Sequence, residues 1–144
     1  MRNGFCDEYK CVVDAKGRLF IPAKMREQFK EGEQVILARS LDSCVSVYTE
    51  EKWKGFEEKI DSLPSTEARD VKRFFYGSMQ ETELDPQGRV LLPLRLREFA
   101  SIQKQVVVVG CGDHAEIWDE DNYRVKLSET KTETVEEILR RNGL

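Results

Sequence analysis

The feature that most constrains this chain is a fourteen-residue stretch that occurs twice, 71 residues apart. Residues 14–27 read DAKGRLFIPAKMRE and residues 85–98 read DPQGRVLLPLRLRE. Six positions are identical in the two copies, namely Asp14/Asp85, Gly17/Gly88, Arg18/Arg89, Pro22/Pro93, Arg26/Arg97 and Glu27/Glu98. A repeat of this density predicts two copies of one supersecondary unit within the 144 residues.

The similarity continues beyond the motif and defines the unit. Residues 34–37 correspond to 105–108, and residues 45–48 correspond to 115–118, so each unit is about 45 residues long. Units of that size bury too little surface to be stable alone, so we expect a shared core. Glycine in Asp-x-x-Gly predicts a turn, alternating residues predict strands, and Pro22 predicts the start of a short helix over 22–30. The order in each unit is then β-β-α-β-β.

The predicted fold class is α+β, mainly β with helices. We expect a first unit over residues 7–54, a helical connector over 55–77, a second unit over 78–123, and a helical C-terminal tail over 124–144. Apolar residues at helical spacing, among them Trp53, Phe56 and Ile60, indicate the connector, and such stripes are usually buried.

Charge is strongly segregated along the chain. The net charge is −4, which alone disfavours nucleic acid as a partner. Residues 15–26 and 86–97, however, hold seven cations and no acid, which leaves −11 for the remainder. The cations are Lys16, Arg18, Lys24, Arg26, Arg89, Arg95 and Arg97. Two basic segments placed side by side could bind DNA despite the overall charge.

Each residue type in the turns suits a particular task at DNA. Gly17 and Gly88 allow the backbone to approach a phosphate, and Arg18 and Arg89 can fork onto a guanine edge or a phosphate. Lys16 is a point charge suited to phosphate. The equivalent Gln87 could hydrogen-bond to a base or a phosphate but carries no charge, so we expect the two units to contact DNA unequally.

The alternative for these residues is a purely structural role. For Asp14 and Asp85 we favour it, because a carboxylate is repelled by phosphate and can brace its own turn. For Arg18 and Arg89, the arginines of the turns, we favour a contact with DNA. The cations of the short helices, Lys24, Arg26, Arg95 and Arg97, are explained as well by a solvated helix face as by DNA.

Other functions find less support in the sequence. His114 is the only histidine, and no nucleophile is paired with a base, which disfavours an enzyme. Cys111 and His114 could form a metal pair, but zinc sites usually have four such ligands, so we expect reduced thiols and neither metal nor cofactor. No apolar run approaches the roughly 20 residues that span a bilayer.

The doubled Asp-x-x-Gly-Arg motif at this spacing resembles the MraZ family of transcriptional regulators, which carry two SpoVT-AbrB-like units in one chain. The resemblance extends to about Tyr123. It implies a pseudo-two-fold, swapped-hairpin β-barrel and a ring-shaped homo-oligomer in the cytoplasm at the nucleoid. It also implies binding to repeated promoter elements of the division and cell-wall gene cluster, usually with repression. The family's DNA-contacting arginine maps onto Arg18 and Arg89, and its basic residue before the glycine onto Lys16, where the second unit has Gln87.

Two other functions remain open on the sequence. One is an antitoxin of the AbrB type, although such chains usually carry one β unit and a disordered toxin-binding tail. The other is an oligomeric scaffold whose basic turns contact a protein rather than DNA.

Overall fold

The computed structural model describes residues 4–144. Within that range the elements follow in the order β1 (Glu8–Val12), β2 (Arg18–Phe20), α1 (Ala23–Arg26), β3 (Gln34–Arg39), β4 (Val45–Tyr48), α2 (Glu50–Asp61), α3 (Ser65–Tyr76), β5 (Gln80–Glu83), β6 (Arg89–Leu91), α4 (Leu94–Phe99), β7 (Gln105–Gly110), β8 (Ala115–Asp119), α5 (Glu120–Glu129) and α6 (Thr132–Arg141). Each half therefore contributes four strands, one short helix and two longer helices in the same order. The predicted α+β class and the doubled unit are confirmed.

The two units exchange strands. One antiparallel sheet has the strand order β1-β7-β8-β4-β3-β5, so the first strand of each unit pairs with the third strand of the other. Strands β4 and β8 meet at the centre of this sheet, with Val45 opposite Ile117. The remaining strands, β2 and β6, pair with each other as a separate ribbon. In residues 4–144 no strand pairing closes the large sheet into a barrel.

The core is shared by both units, as the small size of each predicts. The middle residues of the ribbon, Leu19 and Val90, are buried in the same apolar cluster as Leu37 and Val108 of the large sheet. Because this cluster draws on both repeats, neither unit could form it alone. A second, smaller cluster lies under α2 and α3, around the buried ring of Trp53.

The short helix of the first unit differs from its predicted extent of 22–30. Helix α1 spans only Ala23–Arg26, and Pro22 precedes it in an extended conformation with φ −50° and ψ 138°. The chain then continues through turns that bring Phe29 into the core. The α-helix ends because the amides of Gln28 and Phe29 donate to the carbonyls three residues earlier, of Met25 and Arg26, and not to those four residues earlier.

Two helices, α5 and α6, follow β8 as α2 and α3 follow β4, so α5 begins within the predicted second unit and α6 lies in the predicted tail. None of the helices between residues 4 and 144 combines the length and the apolar character that crossing a bilayer requires.

Candidate nucleic-acid interface

The two Asp-x-x-Gly-Arg turns have the same internal geometry. In the first, one carboxylate oxygen of Asp14 accepts hydrogen bonds from the backbone amides of Lys16 and Arg18, both at 2.9 Å. Its other oxygen accepts from Nε of Arg18 at 2.8 Å. Gly17 completes the turn with φ +87°, a conformation that favours glycine. The carboxylate thus ties the backbone of the turn to the guanidinium of its arginine.

The second turn repeats these contacts. Asp85 accepts from the amides of Gln87 and Arg89 at 2.9 and 2.8 Å, and from Nε of Arg89 at 2.7 Å. The backbone amide of each arginine, together with its side chain, holds the pKa of the partner aspartate below its ordinary value of 3.8. Both carboxylates are therefore ionised at neutral pH and available to hold their arginines.

The β2–β6 ribbon brings the two turns together. Arg18 lies opposite Leu91, and Phe20 lies opposite Arg89. At the ends of the ribbon, each strand continues into a hydrogen bond with the glycine of the other turn. The amide of Ile21 donates to the carbonyl of Gly88 at 3.1 Å, and the amide of Leu92 donates to that of Gly17 at 2.8 Å.

Strand alternation gives the ribbon one buried face and one outer face. Leu19 is fully buried, so Arg18 and Phe20, on either side of it, share the outer face. Phe20 is 53% exposed and Leu91 is 52% exposed, which is unusual for large apolar residues in a short ribbon. The guanidinium of Arg89 lies 5.8 Å from the centre of the Phe20 ring. The outer face therefore combines two arginines with two exposed apolar side chains.

The charge pattern of the sequence does not single out Phe20 or Leu91 as site residues. The signal was nevertheless present, because the period-two alternation that buries Leu19 also places Phe20 beside Arg18.

The arginines of the turns are only partly engaged by their aspartates. Their side chains are 34% exposed for Arg18 and 21% for Arg89, and each uses Nε for the aspartate. Among residues 4–144 the structure shows no hydrogen-bond acceptor for the terminal amino groups of either guanidinium. Those amino groups are the part of arginine that forks onto a guanine edge or a phosphate.

Two helix arginines lie beneath the turns instead. Arg26 donates to the carbonyl of Ile21 at 3.1 Å, and its guanidinium packs against Gly88 of the other unit. In the same way, Arg97 donates to Leu92 at 2.9 Å and packs against Gly17. Each turn is thus supported by an arginine from the opposite repeat.

The remaining predicted site residues divide into two groups. Arg95 donates to the carbonyls of Gly77 and Met79 and so holds the end of the connector. Lys16, Lys24 and Gln87 are exposed.

Comparisons with known proteins agree with the repeat. The family model described as "MraZ protein, putative antitoxin-like" matches the chain twice, over residues 5–74 and 75–142. Each match thus takes in the two longer helices that follow the β-rich part of its repeat.

Several curated relatives are named transcriptional regulator MraZ. The protein of Heliobacterium modesticaldum is 43% identical over 136 residues, which cover 93% of each chain. That of Carboxydothermus hydrogenoformans is 48% identical over 119 residues, covering 81% of this chain and 82% of the relative. That of Caldicellulosiruptor bescii is 48% identical over 123 residues, covering 84% and 85%. With two family matches and relatives of this identity over most of its length, the chain belongs to the MraZ family.

Proposed function

We propose that this chain regulates transcription by binding double-stranded promoter DNA through the outer face of the β2–β6 ribbon. The observation that carries the proposal is the pair of aspartate-braced arginines, Arg18 and Arg89, which share that face. Because β2 pairs with β6, the two arginines lie on neighbouring strands, and both can contact the same DNA duplex.

The bracing matters because binding costs side-chain freedom. An arginine already held by a carboxylate loses less conformational entropy when it meets a base or a phosphate. Asp14 and Asp85 use Nε and leave the terminal amino groups of Arg18 and Arg89 for DNA. The aspartates therefore act as positioning residues rather than as DNA contacts.

Further contacts come from the exposed residues around the ribbon. Lys16 and Lys24 supply positive charge for phosphates, and Gln87 supplies an uncharged hydrogen-bonding group. Phe20 and Leu91 offer apolar surface that suits a thymine methyl group or a sugar. Arg26, Arg95 and Arg97 hold the scaffold through their contacts with backbone carbonyls, so they support the interface from behind.

The target is inferred from the family that the motifs resemble, and the names of the relatives support regulation of transcription. We propose that the chain binds repeated elements in the promoter of the division and cell-wall gene cluster and represses it. This activity would place the protein at the nucleoid in the cytoplasm. Repeated elements suit a protein with several identical turns, because avidity multiplies the effect of modest single contacts.

Assembly into a ring-shaped homo-oligomer is part of the same proposal, and the tail supports it. The apolar side of α3 packs against Trp53 and the residues around it, whereas the counterpart helix α6 has no buried residue. Val135, Ile138 and Leu139, at helical spacing on α6, are 44%, 45% and 43% exposed. A second copy of the chain would cover this face.

An antitoxin is the second candidate function. The family description and the exposed apolar side of α6 favour it, because a toxin could cover the same side. The purified chain distinguishes the two: a ring that forms without any partner, and that is lost when a charge is placed on this side of α6, uses the surface for self-assembly.

The test of DNA binding is a shift assay with the DNA upstream of the gene, run at two salt concentrations. The double variant Arg18→Ala/Arg89→Ala should lose binding, and wild-type binding should weaken steeply with salt. The matched control is Arg69→Ala/Arg73→Ala, which removes two exposed arginines from α3 and should bind as wild type does. Circular dichroism spectra like that of the wild type show that both variants keep the fold. Wild-type affinity in the Arg18/Arg89 variant would exclude this interface.

A further inference from the structure

The hairpin between β7 and β8 gathers three side chains of metal-ligand type. The thiol of Cys111, the imidazole of His114 and the carboxylate of Glu116 place their ligand atoms within 4.8 Å of one another. The spacing in the sequence indicates only a pair of ligands, Cys111 and His114. The structure adds the third, because His114 immediately precedes β8 and Glu116 lies two residues further along, so both side chains project on the same side.

We propose that Cys111, His114 and Glu116 bind a divalent cation of the zinc type at this hairpin. A thiolate, an imidazole and a carboxylate are the three ligand classes that Zn²⁺ takes in proteins. Ligand atoms around tetrahedral Zn²⁺ are separated by about 3.3–3.6 Å, given the usual metal–ligand bond lengths. Nε2 of His114 is already 3.1 Å from one carboxylate oxygen of Glu116, so only small side-chain movements are needed.

The neighbouring residues orient two of these ligands as in a built site. Oδ1 of Asp113 lies 2.6 Å from Nδ1 of His114, so an Nδ1–H donated to it leaves Nε2 for the cation. Nε1 of Trp118 donates to the other carboxylate oxygen of Glu116 at 2.9 Å. The His114 ring also stacks on Tyr48, with centroids 5.3 Å apart and planes at 19°. His114 and Glu116 are therefore oriented by residues outside the cluster.

The position of the cluster also allows a cation to enter and leave. Cys111 is exposed, whereas the side chains of His114 and Glu116 are 20% and 16% exposed. Three protein ligands leave the fourth tetrahedral position for water. The bound ion would fasten the two strands of the hairpin at the point where β7 turns into β8.

This site goes beyond the proposed function, because it belongs to one repeat only. In the equivalent hairpin of the first unit, the backbone amide of Ser40 donates to the carbonyl of Cys44. In the second unit, the amide of Cys111 donates to the carbonyl of His114, so Ser40 takes the place of Cys111. Serine replaces the ligand thiol there, and Ser46 stands opposite Glu116 across β4 and β8. The hairpin also lies at the far end of β1 from the Asp14 turn, so the cation would not touch DNA beside Arg18.

The experiment is a titration of the metal-free full chain with Co²⁺, in a non-thiol reductant, followed by competition with Zn²⁺. We expect one Co²⁺ per chain, a thiolate-to-cobalt absorption band, and displacement by Zn²⁺. Cys111→Ser should abolish the band, and His114→Gln and Glu116→Gln should weaken the affinity at least about tenfold. Asp113→Asn should weaken it by about 10–100-fold through the orientation of His114. Zn²⁺ should raise the melting temperature of the wild type.

The matched control is Cys6→Ser, which removes an exposed thiol outside the cluster and should change nothing. Melting temperatures without metal report whether each variant folds. Two results overturn the proposal independently of the variants' folding: no thiolate band in wild type, or a band that disappears equally with Cys6→Ser. The first result would mean that the contacts of His114 with Asp113 and Glu116 account for the cluster without an ion, and the second would mean that Cys6 supplies the thiolate. DNA binding by Cys111→Ser should match that of the wild type. A result that overturns the metal site is therefore distinct from one that overturns DNA binding by the β2–β6 ribbon.

Discussion

The guanidinium of Arg26 packs against Gly88 of the other repeat so closely that a Cβ at residue 88 would overlap it. The reciprocal pair is Arg97 and Gly17, where an added Cβ would lie 3.0 Å from a terminal nitrogen of Arg97. Each turn is therefore completed by the short helix of the opposite unit. This cross-support explains why the repeat includes both the turn glycine and an arginine nine residues later.

Replacing Gly88 with alanine should destabilise the fold by about 1–3 kcal/mol, because φ is +83° there and L side chains rarely adopt that conformation. Displacement of Arg26 by the new methyl group adds to the effect. The measurement is the urea midpoint of unfolding, followed by circular dichroism.

The matched control is Gly55→Ala in α2, where an added Cβ meets nothing within 4 Å and φ is helical. This change should stabilise the chain by about 0.5–1 kcal/mol, since alanine is the better helix former. If both alanines shift the midpoint in the same direction, the strain at the turn has been misjudged.

The parts of this fold that the sequence predicts are those encoded locally. The Asp-x-x-Gly-Arg motif gives both turns, and the predicted order β-β-α-β-β places a strand after each turn, where β2 and β6 lie. The exchange of strands between the two units could be expected only from the family resemblance. The pairing of β1 with β7 joins residues almost a hundred positions apart, and no local pattern reports it.

The interface, too, could be predicted only in part. Arg18 and Arg26 are equally basic in the sequence, yet one lies on the outer face of the ribbon and the other supports Gly88. Their difference arises from a contact with the other repeat, so charge patterning alone cannot separate them. The exposure of Phe20 could have been inferred, because it follows from the burial of Leu19.

Replacing Asp14 with asparagine should weaken DNA binding several-fold, although it removes a negative charge from a DNA-facing surface. The reason is that asparagine no longer holds Nε of Arg18 by a charged hydrogen bond, so the arginine loses its fixed position. A shift assay at constant salt measures this. Asp61→Asn, at the end of α2, is the control for the charge. Tighter binding by Asp14→Asn would mean that the carboxylate acts only by repelling phosphate.

The two turn carboxylates should also make stability depend on pH. Their pKa lies below the ordinary 3.8 in the folded chain, so their contribution is present above that value and lost as the pH falls through the folded-state pKa. Asp14→Asn/Asp85→Asn should therefore melt below wild type at pH 7, and the difference should shrink below about pH 4. A difference that is constant down to acid pH would contradict this origin.

The two turns differ in charge, since the first has Lys16 where the second has Gln87, and this difference predicts how DNA binding depends on salt. Lys16→Ala should weaken binding similarly for all DNA sequences and reduce the slope of log K against log salt by about 0.9 for each copy on DNA. Gln87→Lys should do the reverse and increase both affinity and slope. Lys54→Ala removes the same charge from an exposed position on α2 and is the control. Equal slopes in the three variants would show that phosphates are contacted elsewhere.

The exposed side of α6 gives the last prediction. Ile138→Glu should dissociate the oligomer towards single chains, because it places a charge within the apolar face formed with Val135 and Leu139. Arg140→Gln changes the net charge equally on the opposite side of the helix and should leave the oligomer intact. Analytical ultracentrifugation measures both. Because the ribbon lies outside α6, single chains of Ile138→Glu should still bind DNA, but more weakly, since avidity is lost. An oligomer that survives Ile138→Glu would place the interface between copies on another surface.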